Sequence, residues 1–194
     1  MRSIHEEKYK DYKIQVFIDE DPPNPRKEFD NFGHMICFHR RYDLGDKHNL
    51  SVEEAKELSK RKDVISLPLF LYDHSGITMK TSPFSCPWDS GQVGFIYVTK
   101  EEIRKEFGVK LVTQKTKERV VSILRSEVEE YDQYLTGNVY GYTIVDPYGE
   151  EKYSCWGFFG NYNEFLITDC KQMIDYYVSE NQVERAEATS EETG

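Results

Sequence analysis

The chain has 194 residues, 38% hydrophobic and 14% aromatic, which is enough to bury a core built largely from rings. Its net charge of −10 at pH 7 suits neither nucleic acid nor an anionic membrane, so we expect no direct binding to either. No apolar run is long enough to cross a bilayer, and the charged first residues lack a signal-peptide core, so we expect a cytoplasmic protein.

Apolar runs bounded by turn residues predict a series of strands. In chain order these are residues 12–18, 34–38, 64–72, 77–80, 93–98, 140–145 and 152–159. Pro68 indicates an edge or a bulge in the third strand, because proline donates no hydrogen bond to a neighbouring strand. The acidic, proline-broken segment 19–25 predicts a loop, and residues 146–149 predict the turn of a hairpin between the last two strands.

Two pairs of residues have the spacing of a capping box, and each predicts a helix directly after its first member. The pairs are Ser51 with Glu54, and Thr99 with Glu102. We expect the first helix to end near Arg61. We expect the second to end at Gly108, because glycine adopts the left-handed conformation that closes many helices.

Apolar residues at helical spacing predict the longest helix of the chain over residues 115–135. Its buried stripe is expected to consist of Val120, Leu124, Val128, Tyr131 and Leu135. A last helix, capped by Thr168 or Asp169, is expected to end near Val178.

These elements predict a single α+β domain over residues 1–179, followed by an acidic, disordered tail over residues 180–194. Neither an internal repeat nor a linker interrupts the domain. The strands do not alternate regularly with helices, so we expect a mostly antiparallel sheet packed against three or four helices.

The stretch between the third and fifth predicted strands combines His, Ser, Cys and Asp residues with glycine and proline corners. In one interpretation Cys86 is a nucleophile and His74 its base, with Asp89 or Asp73 as the orienting acid. In the other interpretation Trp88 fills the core while the polar side chains cap turns. We favour the second interpretation, because the stretch matches no known nucleophile signature.

Two histidines and two arginines lie in and just after the second predicted strand. His34 and His39 are separated by an odd number of residues, so on a strand they face opposite sides. Arg40 and Arg41 would also repel a cation, and we therefore predict no metal ion. The arginine pair suits an anion or an intramolecular carboxylate, and salt bridging to the acidic surplus is the favoured role. No cofactor-binding motif is present, so no cofactor is predicted.

The long predicted helix carries its charges in the order that opposes the helix dipole. Basic residues begin it, and four acids crowd its last turns: Glu127, Glu129, Glu130 and Asp132. Each such exposed charge destabilises the helix by about a few tenths of a kcal/mol. The mismatch indicates either an acidic patch that binds a basic partner or a solvated face balanced by a neighbouring basic element.

Two segments of the chain support a family resemblance: residues 30–42 (DNFGHMICFHRRY) and residues 87–96 (PWDSGQVGFI). They resemble small uncharacterised proteins encoded by tailed phages and mobile elements, and the similarity extends over most of the chain up to about Phe159. The resemblance implies no catalytic residues. It implies a context, because phage accessory genes of this size often encode proteins that act on host machinery, including inhibitors of restriction or CRISPR defence.

The sequence is therefore consistent with two functions, and neither of them implies a particular oligomeric state. The first is a phage-type accessory protein in the host cytoplasm. It would bind and inhibit a host or defence protein with a basic surface, through the acidic helix and through Trp88, Arg40 and Arg41. The second is a small hydrolase or nucleotide-modifying enzyme centred on the histidine–cysteine–aspartate loop, with the two arginines holding an anionic substrate. We favour the first.

Overall fold

The structure is a computed structural model that describes residues 2–163 and 165–191. This part of the chain contains two antiparallel sheets and five helices. The predicted α+β class is therefore confirmed, with more helices than the three or four that were predicted. The strands are β1 (His5–Tyr9), β2 (Tyr12–Ile18), β3 (His34–Cys37), β4 (Val64–Asp73), β5 (Ile77–Lys80), β6 (Ser90–Thr99), β7 (Val139–Val145) and β8 (Glu151–Phe159). The helices are α1 (Pro25–Glu28), α2 (Val52–Ser59), α3 (Lys100–Phe107), α4 (Gln114–Thr136) and α5 (Leu166–Glu191).

The chain divides into two compact units, where the sequence predicted a single domain over residues 1–179. One unit consists of Met1–Pro22 together with Gly137–Gly194, and the other of Pro23–Thr136. Each unit contains one of the two sheets, so each has its own hydrophobic core.

The first unit contains the sheet ordered β1-β2-β7-β8, with α5 against one face. Alternating β2 residues such as Ile14 and Val16 are fully buried, and Cys170 and Ile174 of α5 belong to the same core. The sequence did not predict β1, because this edge strand consists mostly of charged residues. Helix α5 begins ahead of its predicted caps and continues to Glu191, into the segment where a disordered tail was predicted.

The second unit contains the sheet ordered β3-β6-β4-β5, and α4 packs on it. The predicted stripe of α4 is confirmed, since four of its residues are fully buried or nearly so: Val120, Leu124, Val128 and Tyr131. Both capping boxes are present, and Gly108 ends α3 with φ of +61°. At Pro68, strand β4 has a partner on one side only, because β5 pairs with Phe70–Asp73 alone.

The strand directions in the second unit determine which loops meet. Strands β3 and β4 both run antiparallel to β6, which lies between them. The carboxyl ends of β3 and β4 therefore lie at the same edge of the sheet as the amino end of β6. This edge receives the loop that follows β3, the turn that follows β4 and the loop that precedes β6.

A buried arginine anchors the loop after β3. Arg26, in the unpredicted helix α1, has a side chain that is only 1% exposed, and it donates two hydrogen bonds of 2.8 Å to Asp46. It also donates to Glu127 at 2.9 Å and to the Gly33 carbonyl at 2.6 Å. Burial acts to lower the pKa of the Arg26 guanidinium, but hydrogen bonds and attraction to its two carboxylate partners outweigh burial and raise the pKa.

None of the described helices combines the length and the apolar character that crossing a membrane requires.

Candidate functional site

The edge of the second sheet brings together residues that are far apart in the sequence. The guanidinium of Arg41, in the loop after β3, forms an ion pair with Asp73 at the end of β4. The Tyr42 hydroxyl lies 3.4 Å from the same carboxylate. The Asp73 N–H donates to the Asp89 carbonyl at 2.8 Å, which joins the end of β4 to the loop before β6. The loop after β3 and the stretch from the end of β4 to the start of β6, which the sequence analysis considered separately, therefore form one surface.

A groove of about 360 Å³ runs along this surface, and we call it the Trp88 groove. Its lining residues are His39, Arg41, Leu71, Asp73, Trp88, Asp89, Ser90, Gly91 and Val93. The Trp88 side chain is 92% exposed, so the interpretation in which it fills the core is wrong. Tryptophan and arginine are the residue types of this lining that are enriched at protein interfaces.

The three candidate catalytic residues lie close together, but not in the predicted order. Oδ2 of Asp89 is 3.4 Å from Nδ1 of His74 and 3.8 Å from Sγ of Cys86. The carboxylate thus lies between the imidazole and the thiol, whereas a cysteine nucleophile needs the imidazole beside its sulfur. Within the described residues no hydrogen bond joins Cys86 to His74. The His74 side chain is 63% exposed, so water has access to it.

The two arginines after β3 differ in their surroundings. Arg41 has the predicted intramolecular carboxylate in Asp73, and its guanidinium also lies 5.4 Å from the Tyr42 ring centre. Arg40 is exposed and has no ion-pair partner among the residues that the structure describes. The predicted salt-bridging role therefore fits Arg41 and leaves the charge of Arg40 available.

The loop after β3 curves around a second concavity of about 1,020 Å³, which we call the Arg40 concavity. It is lined by residues 37–44 and 46–49, including Lys47 and His48, which the sequence analysis did not single out. The length of their loop could have indicated these residues, because 14 residues (38–51) separate β3 from α2. Connections longer than about 12 residues without secondary structure are often functional.

The four acids of the long helix differ in their roles. Glu127 accepts from Arg26 and from the Phe32 N–H at 2.8 Å, and Asp132 accepts from the Met79 N–H at 2.6 Å. These two carboxylates hold the fold together, and we leave them out of any binding surface.

The remaining two acids are closer to the predicted acidic patch. Glu129 is exposed, and Glu130 is half-buried. Burial, together with the negative charge of Glu127, raises the pKa of Glu130. An acidic surface on this helix therefore consists of two neighbouring residues instead of four.

The histidines of the second predicted strand lie in separate environments. His34 forms a 2.7 Å contact with Glu102, whereas the His39 ring stacks on Tyr42 with 4.9 Å between ring centres. Among the described residues, no group of three or more His, Cys, Asp or Glu side chains is arranged to hold a metal ion.

The four cysteines are free thiols in two classes. Cys37 and Cys170 are buried, and burial raises the pKa of each thiol to about 12. Cys86 and Cys155 are half-buried. The two buried thiols therefore stay protonated at neutral pH.

This chain matches no protein-family model, no curated protein and no solved structure.

Proposed function

We propose that this chain is a phage-type accessory protein that binds a host or defence protein in the host cytoplasm and inhibits it. The observation that carries the proposal is the 92% exposure of Trp88 at the rim of the Trp88 groove. Tryptophan buries a large area with little conformational entropy, and it is enriched among the residues that dominate binding energy at protein interfaces.

The resemblance to phage and mobile-element proteins supports the same surface. The segment of residues 30–42 includes β3, and the segment of residues 87–96 includes Trp88 and most of β6. These strands pair directly, with Cys37 opposite Gly94. The two segments therefore lie side by side and supply His39, Arg41, Trp88 and Asp89 to the groove.

The charge of the chain favours a partner with a basic surface. The net charge is −10, and Asp89 beside Trp88 is 39% exposed in its side chain. A partner arginine or lysine that contacts this carboxylate can also lie against the indole face, where a cation is attracted to the ring. Inhibition of a restriction or CRISPR nuclease is one form of this function, since such proteins carry basic surfaces for nucleic acid.

A pull-down from nuclease-treated bacterial lysate tests binding. The tagged wild-type protein, the Trp88→Ala variant and a matched control, Tyr148→Ala, are compared by mass spectrometry. Tyr148 is 85% exposed and lies in the other unit, so its substitution removes a comparable exposed ring. We expect one stoichiometric protein to be recovered with wild type and with the control and to be lost with Trp88→Ala. Recovery of the same proteins with all three baits would contradict the proposal.

Inhibition is tested separately by phage plating on a bacterial strain with an active restriction or CRISPR system. Expression of the wild-type chain should raise the efficiency of plating, and the Trp88→Ala variant should not. An unchanged efficiency of plating with wild type, across strains with and without the defence system, would leave a binding protein without the proposed inhibitory role.

One observation favours a second candidate, a small hydrolase or nucleotide-modifying enzyme. Asp89 contacts both His74 and Cys86, so one carboxylate holds an imidazole and a thiol on the same surface. Alkylation by iodoacetamide at neutral pH, followed by mass spectrometry, compares Cys86 with Cys155, which is also half-buried. A nucleophile activated by its neighbours should react faster than Cys155, and the His74→Ala variant should lose the difference. Equal rates at the two thiols would exclude an activated cysteine.

A further inference from the structure

The Arg40 concavity has an unusual charge balance for a chain with a surplus of acids. Its charged lining residues are Arg40, Arg41, Asp43, Asp46 and Lys47. Asp46 forms an ion pair with the buried Arg26, and Arg41 forms one with Asp73, which does not line the concavity.

The charged groups of this lining that have no ion-pair partner carry a net positive charge. Arg40 and Lys47 have no ion-pair partner within the described residues, and Asp43 is the one carboxylate of the lining that is likewise unpaired there. The free charges of this lining sum to +1, whereas the chain as a whole has 35 acidic and 25 basic residues.

Two histidines add polar groups to the same lining. Nδ1 of His39 accepts from the Arg41 and Tyr42 N–H groups at 3.3 Å each, so the His39 ring proton lies on Nε2. Nε2 of His48 lies 3.0 Å from the Cys37 carbonyl and must donate to it. Nδ1 of His48 is then left buried without a hydrogen-bond partner among the described residues. A buried polar atom without a partner is rare in folded proteins.

Flat rings line the concavity beside these polar groups. The His39 ring stacks on Tyr42 with an angle of 15° between the planes, and the Phe38 ring packs edge-on against His48 at 4.9 Å. All four residues belong to the lining. Ring faces next to free cations are the surfaces that a nucleobase and its phosphates use.

We propose that the Arg40 concavity binds the phosphate groups of a small anionic ligand, of which a nucleotide is the class that fits best. The planar guanidinium of Arg40 pairs with two phosphate oxygens at once, and the Lys47 ammonium adds a point charge. The volume of about 1,020 Å³ lies at the upper end of ordinary ligand pockets. The proposal does not rest on the partner-binding function, because its two free cations, Arg40 and Lys47, do not line the Trp88 groove.

Isothermal titration calorimetry with ADP, pyrophosphate and adenosine tests this site. We expect saturable binding of ADP and pyrophosphate that weakens as salt is added, and no binding of adenosine. Tighter binding of ADP than of pyrophosphate would support the nucleotide class, and equal affinities would overturn the contribution of the rings. Absence of saturable binding by both phosphate compounds would overturn the site.

Paired variants separate a site from general attraction. Arg40→Gln with Lys47→Gln should lower the affinity for ADP by about tenfold or more, the factor for losing one charge-assisted hydrogen bond. Lys62→Gln with Lys110→Gln removes the same charge from exposed positions outside the concavity and should leave the affinity unchanged. Equal losses in the two double variants would overturn the proposal. Thermal melting tests whether both double variants are folded, and Tyr148→Ala should bind ADP as wild type does.

Discussion

Glu127 is the residue whose substitution best separates the two roles considered for the long helix. The sequence places it in an acidic binding patch, whereas the structure buries its carboxylate in the second unit with 12% of the side chain exposed. Its neighbour Glu129 is exposed and has no hydrogen bond or ion pair within the described residues. Glu127→Ala and Glu129→Ala therefore make the same chemical change two residues apart.

The expected loss follows from the partners that Glu127 leaves behind. It accepts from Arg26 at 2.9 Å and from the N–H groups of Phe32 and Gly33 at 2.8 and 3.1 Å. Breaking a buried ion pair costs about 3–5 kcal/mol, and we expect the lower end, about 3 kcal/mol, because Asp46 still pairs with Arg26. An exposed glutamate changes stability by at most about 0.5 kcal/mol, so Glu129→Ala should be nearly silent.

Guanidinium denaturation followed by circular dichroism measures both free energies of unfolding. The denaturation midpoint of Glu127→Ala should be lower than that of wild type, with an unchanged slope. The midpoint of Glu127→Gln should fall by less, since glutamine keeps one acceptor oxygen. If Glu127→Ala were as stable as Glu129→Ala, the buried network would be refuted. Glu127 would then return to the acidic surface.

Two further predictions concern the strand β6 and the cap of α3. A Cβ atom at Gly94 would lie 1.9 Å from the Ile36 carbonyl oxygen, whereas one at Gly91 has no neighbour within 4 Å. Gly94→Ala should therefore destabilise the protein by about 3 kcal/mol or more, and Gly91→Ala by less than about 1 kcal/mol, in the same denaturation assay. Burial acts to raise the pKa of Glu102, but hydrogen bonds, first from Thr99, outweigh it and lower the pKa. Glu102 thus stabilises the fold above its unfolded pKa of about 4.3, and this contribution is lost as pH falls through the lower folded pKa. Glu102→Gln should flatten the decrease in stability between about pH 5 and pH 3, and a decrease as steep as that of wild type would contradict this assignment.

Local signals in the sequence predicted local structure well. Side-chain spacing alone identified both capping boxes and the buried stripe of α4, because these features depend on residues within two or three turns of one another. Strand β1 was not predicted, because no local pattern in its own sequence indicates a strand. Its pairing with β2 is established by the turn at Lys10 and Asp11, both at positive φ, and not by an apolar pattern of its own.

The candidate site depends on distances that no local pattern contains. The sequence singled out Arg41, His74 and Asp89 one segment at a time, but the strand order that joins them involves β3, β6 and β4. Only that order places the Arg41 guanidinium on Asp73 and leaves Trp88 outside the core. The sequence left the exposure of Trp88 open, since one interpretation put it in the core and another made it a partner-binding residue.

The number of acids in a chain is a poor guide to where a basic partner binds, because the fold uses some of those acids itself. Asp46 and Glu127 neutralise Arg26, and Asp132 accepts from the backbone of β5. These carboxylates count toward the charge of −10, but each is engaged by hydrogen bonds within the fold. Asp89, in the loop before β6, is an acid that remains partly exposed beside the exposed ring of Trp88. We therefore expect a partner attracted by the overall charge to be selected by the loops at this edge of the second sheet, and not by the acids of α4.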